Sequence, residues 1–290
     1  MTQNTSAPRR IVVGVDTSDN AARAAVWAVR EAADRGLALH LVYALDLPGT
    51  AGMVLEPPEY GRKQHQAGAA LLAAITGKVR ELRPNVVVTS EVSELSPART
   101  LVALSQDAEL VVTGTRGHGG FAGMLLGSVS MKLAAHSHCP VIVVRGEQPN
   151  DPLDEIVLGV ESGEHEAPIR FAFEAAVAHG AALRVVRAWN PANLDRDLYL
   201  AGVLADRNRA FADDVADLLK GVREDYPGIQ VAISIVRGNA VPALINEASG
   251  ARMLVVGARR AQGPLSVGAG YVVQGLLAHS GTPVAVVPIN

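Results

Sequence analysis

Apolar residues along this chain fall into short unbroken runs, separated by longer stretches with helical spacing. The first run, Ile11–Val15 (IVVGV), ends at the acidic Asp16, the pattern of a strand buried on both faces. Thr17, Ser18 and Asp19 offer helix caps, and Ala22, Val26, Val29 and Ala33 then share one helical stripe. Leu39–Leu45 predicts a second strand. His65–Leu82 predicts a helix with Leu71, Leu72, Ile75 and Val79 on its apolar face, stopped by Pro84. Val86–Val92 predicts a third strand, Ser96–Gln106 a helix opened by Ser-Pro, and Glu109–Thr113 a fourth strand. Leu126–His136 predicts a helix and Val141–Val144 a fifth strand. Five strand–helix units predict an α/β fold, a doubly wound five-stranded parallel sheet with helices on both faces. Ligands of such sheets sit beyond the carboxyl ends of the strands, where strand order reverses. That directs attention to Asp16, the segment after Leu45 and the loop after Thr113.

The same pattern then starts again. RIVVGVD (Arg10–Asp16) recurs as EIVLGVE (Glu155–Glu161), and LHLVYA (Leu39–Ala44) as LRVVRA (Leu183–Ala188). ELVVTGTRG (Glu109–Gly117) matches MLVVGARR (Met253–Arg260), and AHSHCPVIVV (Ala135–Val144) matches AHSGTPVAVV (Ala278–Val287). The offsets drift only from 145 to 143, as small loop deletions between two copies produce. A repeat this long is domain-sized, so the chain reads as a tandem duplication: residues 1–148 and 153–290, joined by a Gly/Pro/Asp-rich linker at about 146–154.

Composition narrows the function. Of 290 residues, 49% are hydrophobic and 19% charged, enough apolar material for two cores. The net charge of −3 divides into +1 for residues 1–148 and −4 for 149–290, so neither half is a basic footprint for nucleic acid. The eleven aromatic residues are also few for stacking bases. The single cysteine, Cys139, excludes an intrachain disulfide and fits a reducing compartment. Ala261–Asn290 carries no formal charge, yet Gly263, Pro264, Gly268, Gly270, Gly281 and Pro283 break it into pieces too short to span a bilayer. The polar MTQNTSAPRR start does not read as a signal peptide. The expectation is a cytoplasmic protein with no membrane partner.

The segment Gly114–Ser130 (GTRGHGGFAGMLLGSVS) is the richest in chemistry. It holds five glycines between Gly117 and Gly127, has no acidic residue, and runs into a helix. Glycines let backbone approach a ligand, and helix-start N–H groups attract anions. Ser128 and Ser130 add hydroxyls, and Arg116 and Lys132 add charge, so the segment reads as a phosphate cradle or, alternatively, as a packing lid. It is no Walker A loop, which places Lys-Ser/Thr directly after the last glycine. Asp16 fits either an acceptor for ribose hydroxyls and an adenine amine or a helix cap.

Asp16 at the end of the first strand, together with Gly114-x2-Gly117-x9-Gly127-Ser128, resembles the signature of the universal stress protein family in its ATP-binding branch. The tandem arrangement resembles the two-domain members common in actinobacteria, and the likeness covers nearly the whole chain. It implies two Rossmann-like domains of the adenine nucleotide α-hydrolase type. By position, it implies that Asp16 lies near adenine and ribose and that the backbone at Ala44 meets adenine. It further implies that Gly114 and Gly117 pass the triphosphate, with Gly127, Ser128 and Ser130 on phosphate oxygens, Arg116 nearby, and Mg²⁺ riding on the phosphates. The implied function is that of a nucleotide-dependent stress-response regulator acting through binding, with no catalytic residue; a slow ATPase or adenylyl-transfer enzyme and a nucleotide-free scaffold are the alternatives. The resemblance also implies that Val141–Val144 and Val284–Val287 pair to make the two halves a pseudo-dimer, with a homodimer and an unidentified regulatory partner beyond it.

The second copy departs from the signature. Asp16 becomes Glu161, Gly117 becomes Arg260, and Ser128 and Ser130 become Tyr271 and Val273, while Gly114 and Gly127 persist as Gly257 and Gly270. An ion pair from Arg259 or Arg260 to Glu161 would fill space and charge that ATP needs, so the expectation is a plugged second site. His136-Ser-His138-Cys139 reads as a structural turn rather than a metal site. His118 is open between phosphate contact and solvation, and Trp27 reads as a packing residue. Met53, Val54, Leu55, Pro57, Pro58 and Tyr60 read as an ordered cover over the pocket or an interface.

Overall fold

A computed structural model describes residues 9–45, 58–115, 117, 126–149, 152–161, 163, 165–190, 201–261 and 269–289. Arg116, His118, most of the glycine-rich segment and the 46–57 stretch lie outside the described residues, as do 191–200. The chain divides into two compact units, Met1–Glu147 and Gln148–Asn290. Among the described residues, no helix is long and apolar enough to cross a membrane.

In unit 1 the chain runs β1 (Arg10–Gly14), α1 (Asp19–Arg35), β2 (Ala38–Ala44), α2 (Pro58–Leu82), β3 (Val88–Ser93), α3 (Pro97–Leu104), β4 (Leu110–Gly114), α4 (Ser128–His136) and β5 (Val141–Val144). The strands are all parallel in the order β3-β2-β1-β4-β5, so order reverses between β1 and β4. Helices α1 and α2 pack together on one face and α3 with α4 on the other. That double cover explains why the strands read as unbroken apolar runs: Ile11, Leu39, Leu41, Leu110 and Ile142 are fully buried, each worth about 2 kcal/mol. One boundary differs from the sequence expectation. Helix α2 begins at Pro58, seven residues before His65, so Pro58 and Tyr60 belong to its first turn rather than to a covering loop.

Unit 2 repeats the plan with β6 (Leu153–Gly159), α5 (Glu166–His179), β7 (Ala182–Trp189), α6 (Ala201–Asp225), β8 (Val231–Arg237), α7 (Ala240–Glu247), β9 (Ala251–Arg259), α8 (Tyr271–His279) and β10 (Val284–Ile289). Its strand order is β10-β9-β6-β7-β8. Even the register is copied. Ile11 faces Leu110 in unit 1, and Ile156 faces Met253 in unit 2, the offsets of the sequence repeat.

Three pairs of equivalent positions show how the copies diverged. On β2, Tyr43 packs so close to α2 that a Cβ on Gly68 would meet its ring at 2.4 Å. At the same two positions in unit 2, β7 carries Arg187 and α6 carries Phe211, with the guanidinium 4.0 Å from the ring centroid. Trp189 completes that cluster, edge-on to Phe211 at 5.5 Å and donating from its indole Nε1 to Asn208 Oδ1 at 2.9 Å. Elsewhere on the sheets, buried His40 bonds Thr89 through Nδ1 at 2.8 Å and lies 3.6 Å from Glu91 through Nε2. Its counterpart Arg184 is instead held between Glu155 at 3.0 Å and Glu247 at 3.3 Å. The turn before the last strand is conserved in form: Ser137 Oγ donates to the Cys139 carbonyl, and Ser280 Oγ to that of Thr282. In unit 1 this turn buries Cys139, and burial pushes its thiol pKa up to about 12.

Candidate functional site

At the carboxyl end of β1 the chain turns at Asp16. Oδ1 of Asp16 accepts two bonds from one residue, the Ser18 N–H at 2.9 Å and the Ser18 hydroxyl at 2.5 Å. Ser18 is also the N-cap of α1, its Oγ accepting from the Ala21 N–H at 3.2 Å. The cap of α1 is thus Ser18 and not Asp16, whose carboxylate is fastened to the helix start through Ser18.

Beside it, β4 ends at Gly114, where α1 passes closely: a Cβ there would lie 2.8 Å from the Asn20 carbonyl carbon. The next residue, Thr115, accepts the Gly127 N–H at 2.7 Å, so the two ends of the glycine-rich segment are tied together and the start of α4 is brought to the end of β4. Gly117 stands against Asp16; a Cβ on it would lie 2.2 Å from Oδ2. Asp16, Gly114, Gly117 and Gly127 thus gather where strand order reverses, with Ser128 exposed in the first turn of α4. Ala44, half-buried at the end of β2, occupies the neighbouring strand end.

Ser130 has a different role from the one expected. Its hydroxyl donates to the Gly114 carbonyl at 2.9 Å and the residue is 2% exposed, so it fastens α4 to β4 and does not face a ligand. Residues two apart on a helix lie about 200° round its axis, so Ser128 and Ser130 cannot line one surface. The residue that sequence reasoning undervalued is Ser18, noted only as a cap candidate. Its signal was the Asp-x-Ser spacing, which suits a side chain bonding backbone two residues on.

In unit 2 the corresponding end is built differently. Glu161 is exposed, and among the described residues no ion pair reaches it, so the expected pairing with Arg259 or Arg260 is not formed. An exposed pair of this kind gains little over hydration of its two members. Arg259 is exposed, and the Arg260 main chain continues the sheet, donating to the Ile289 carbonyl at 3.2 Å. The place of Ser18 is taken by Gly163, whose φ of 71° is left-handed, and the cap of α5 falls to His165, whose side chain makes no cap bond. Gly257 is half-buried, Gly270 caps α8 from an exposed position, and Tyr271 is 84% exposed in the first turn. Buried Val273 replaces Ser130, removing the hydroxyl tie to the strand end.

The universal stress protein family model matches residues 8–145 and again 152–288. The chain belongs to the universal stress protein family. Among relatives, it is 31% identical to universal stress protein Rv2623 of Mycobacterium tuberculosis over 289 residues, covering 95% of each chain. It is 29% identical to universal stress protein Rv2005c of the same organism over 293 residues, covering 97% of this chain and 98% of the relative. Among solved structures, a universal stress protein from Archaeoglobus fulgidus superposes with a TM-score of 0.69 at 16% identity, over 96% of this chain and 98% of that one. The likeness to the archaeal protein is one of fold, and it extends over both units.

Proposed function

We propose that unit 1 binds ATP at the switch point between β1 and β4 and that the protein is a nucleotide-dependent stress-response regulator. Family membership supports the stress-response role. The observation that carries the nucleotide reading is the meeting of Asp16 and Gly117 beside the start of α4. A carboxylate stands where a ribose or an adenine amine would donate, and bare backbone and helix-start N–H groups stand where phosphates would lie. Ser128, exposed in the first helical turn, adds a hydroxyl to the phosphate side.

Among the described residues no cluster of His, Cys, Asp or Glu is able to hold a metal ion. In this reading Mg²⁺ is carried in on the phosphates, where it would neutralise their charge. Within the described site the carboxylate oxygen Asp16 Oδ1 is already engaged by Ser18, which suits binding rather than proton abstraction. Isothermal titration of the nucleotide-stripped protein with MgATP tests the reading. One ATP per chain, lost in Gly117→Arg, is the expected result; no heat and no ATP recovered from denatured protein would overturn it.

A further inference from the structure

We propose that Ser18 is a positioning residue for the nucleotide site, locking the Asp16 carboxylate in its binding orientation; this rests on the nucleotide reading above. Three bonds converge on it. Its N–H and its hydroxyl both donate to Asp16 Oδ1, and its Oγ accepts the Ala21 N–H of the first helical turn. The carboxylate is thereby tied to α1, and its second oxygen is turned toward Gly117. Two residues further on, Asn20 touches Gly114. Asn20 against Gly114 and Asp16 against Gly117 therefore bracket Ser18, so the start of α1 meets the end of β4 on one side and a residue three positions beyond it on the other. An acceptor fixed in this way needs no ordering when a ligand arrives, and its bonds to Ser18 are charge-assisted.

Unit 2 shows what removing the device looks like. Gly163 stands where Ser18 stood and has no hydroxyl; its φ of 71° is a conformation that serine rarely adopts. The cap has moved to His165, which makes no side-chain cap bond, and Glu161 is exposed. The departure in unit 2 thus includes the backbone that would hold the carboxylate, as well as the carboxylate itself.

The test uses the full chain with Ser18→Ala, Ser18→Gly and Ser18→Thr. Two readouts are taken: three-bond NMR couplings across χ1 of Asp16, and MgATP affinity by titration. Glycine serves as a helix cap nearly as well as serine, so Ser18→Gly separates capping from positioning. The expected result is one Asp16 rotamer in the wild type and in Ser18→Thr, averaged rotamers in Ser18→Ala and Ser18→Gly, and ATP affinity about tenfold weaker in the latter two. Thermal melts of Ser18→Gly should stay close to wild type. A single Asp16 rotamer with unchanged ATP affinity in Ser18→Gly overturns the positioning role and leaves the nucleotide reading standing. Averaged rotamers alongside a wild-type protein that binds no ATP sustain the locking of Asp16 and overturn the nucleotide reading.

Discussion

Gly117 lies against Asp16 so closely that a methyl group on it would sit 2.2 Å from the carboxylate Oδ2. No side chain fits there unless Asp16 moves, and Asp16 is held from the other side by Ser18. Gly117→Ala should therefore weaken MgATP binding about tenfold, or about 1.4 kcal/mol, with little change in melting temperature. Wild-type affinity in that variant would show that the carboxylate yields without consequence to the ligand.

The second unit should not bind ATP, and single reversions should not restore it. Arg260→Gly recreates the glycine but leaves Glu161 exposed, Gly163 in place of a serine and Tyr271 at the helix start. Titration should give one ATP per chain for the wild type and for Arg260→Gly alike. A second ATP in either protein would remove the asymmetry between the units.

Acid should weaken unit 1 through His40. Burial lowers its pKa below the ordinary 6.5, nearby Glu91 opposes that shift, and Arg10 reinforces it; Thr89 bonds the ring without charge. The unfolded chain then takes up the proton more readily than the folded one. The stabilisation is therefore complete above the ordinary value and is lost as pH falls through 6.5 toward the folded value. Melting temperatures measured between about pH 7 and pH 5 should fall more steeply for wild type than for His40→Gln. Equal slopes would show that His40 takes no part. His40→Arg should destabilise at every pH in that range. Arg184 at the equivalent place has Glu155 and Glu247, whereas unit 1 has Arg10 and Leu104 at those two positions and only the half-exposed Glu91 as an acid nearby.

Cys139 should be inert in the folded protein. With its thiol pKa raised to about 12 by burial, almost no thiolate exists near neutral pH. Iodoacetamide at pH 8 should leave native protein unlabelled by mass spectrometry and label it fully in urea. Native labelling at the rate of a free thiol would contradict the burial of this turn.

Gly68→Ala sets two effects against each other. Alanine gains about 1 kcal/mol of helix propensity over glycine, while its methyl group would sit 2.4 Å from Tyr43 Cδ1. Overpacking of this kind costs about 1–3 kcal/mol, so the variant should be destabilised, and Tyr43→Ala should remove the penalty. Urea melts of the two single variants and the double variant decide it; additive losses would show that the residues are not coupled.

Much of this was legible in the sequence because strands covered on both faces must be apolar throughout. Ile11–Val13 and Val141–Val144 therefore declare themselves without alternation. The start of α2 was less legible, since Gly61 and Gly68 lower its helical signal while Pro58 reads equally well as a loop residue. In the site, the strand ends and the glycine spacing of the family signature point to Asp16, Gly114 and Gly117, which the fold brings together. Ser130 was misread because its hydroxyl looks like a ligand donor until the helix turn buries it against Gly114. At Glu161, charge and spacing alone suggest an ion pair, whereas the glutamate stands exposed at the end of its strand.

The aromatic exchange between Tyr43–Gly68 and Arg187–Phe211 bears on how such a duplicated gene can change. At these paired positions each half places one ring between its second strand and second helix, but from opposite sides. A crossover that joined the strand of the first half to the helix of the second would place Tyr43 and Phe211 in a single slot. The reciprocal product would put Arg187 beneath Gly68, with neither ring nor carboxylate from Asp214 to receive it. Recombination within this seam therefore yields two defective products. The halves are free to drift in sequence while remaining barred from exchanging these parts.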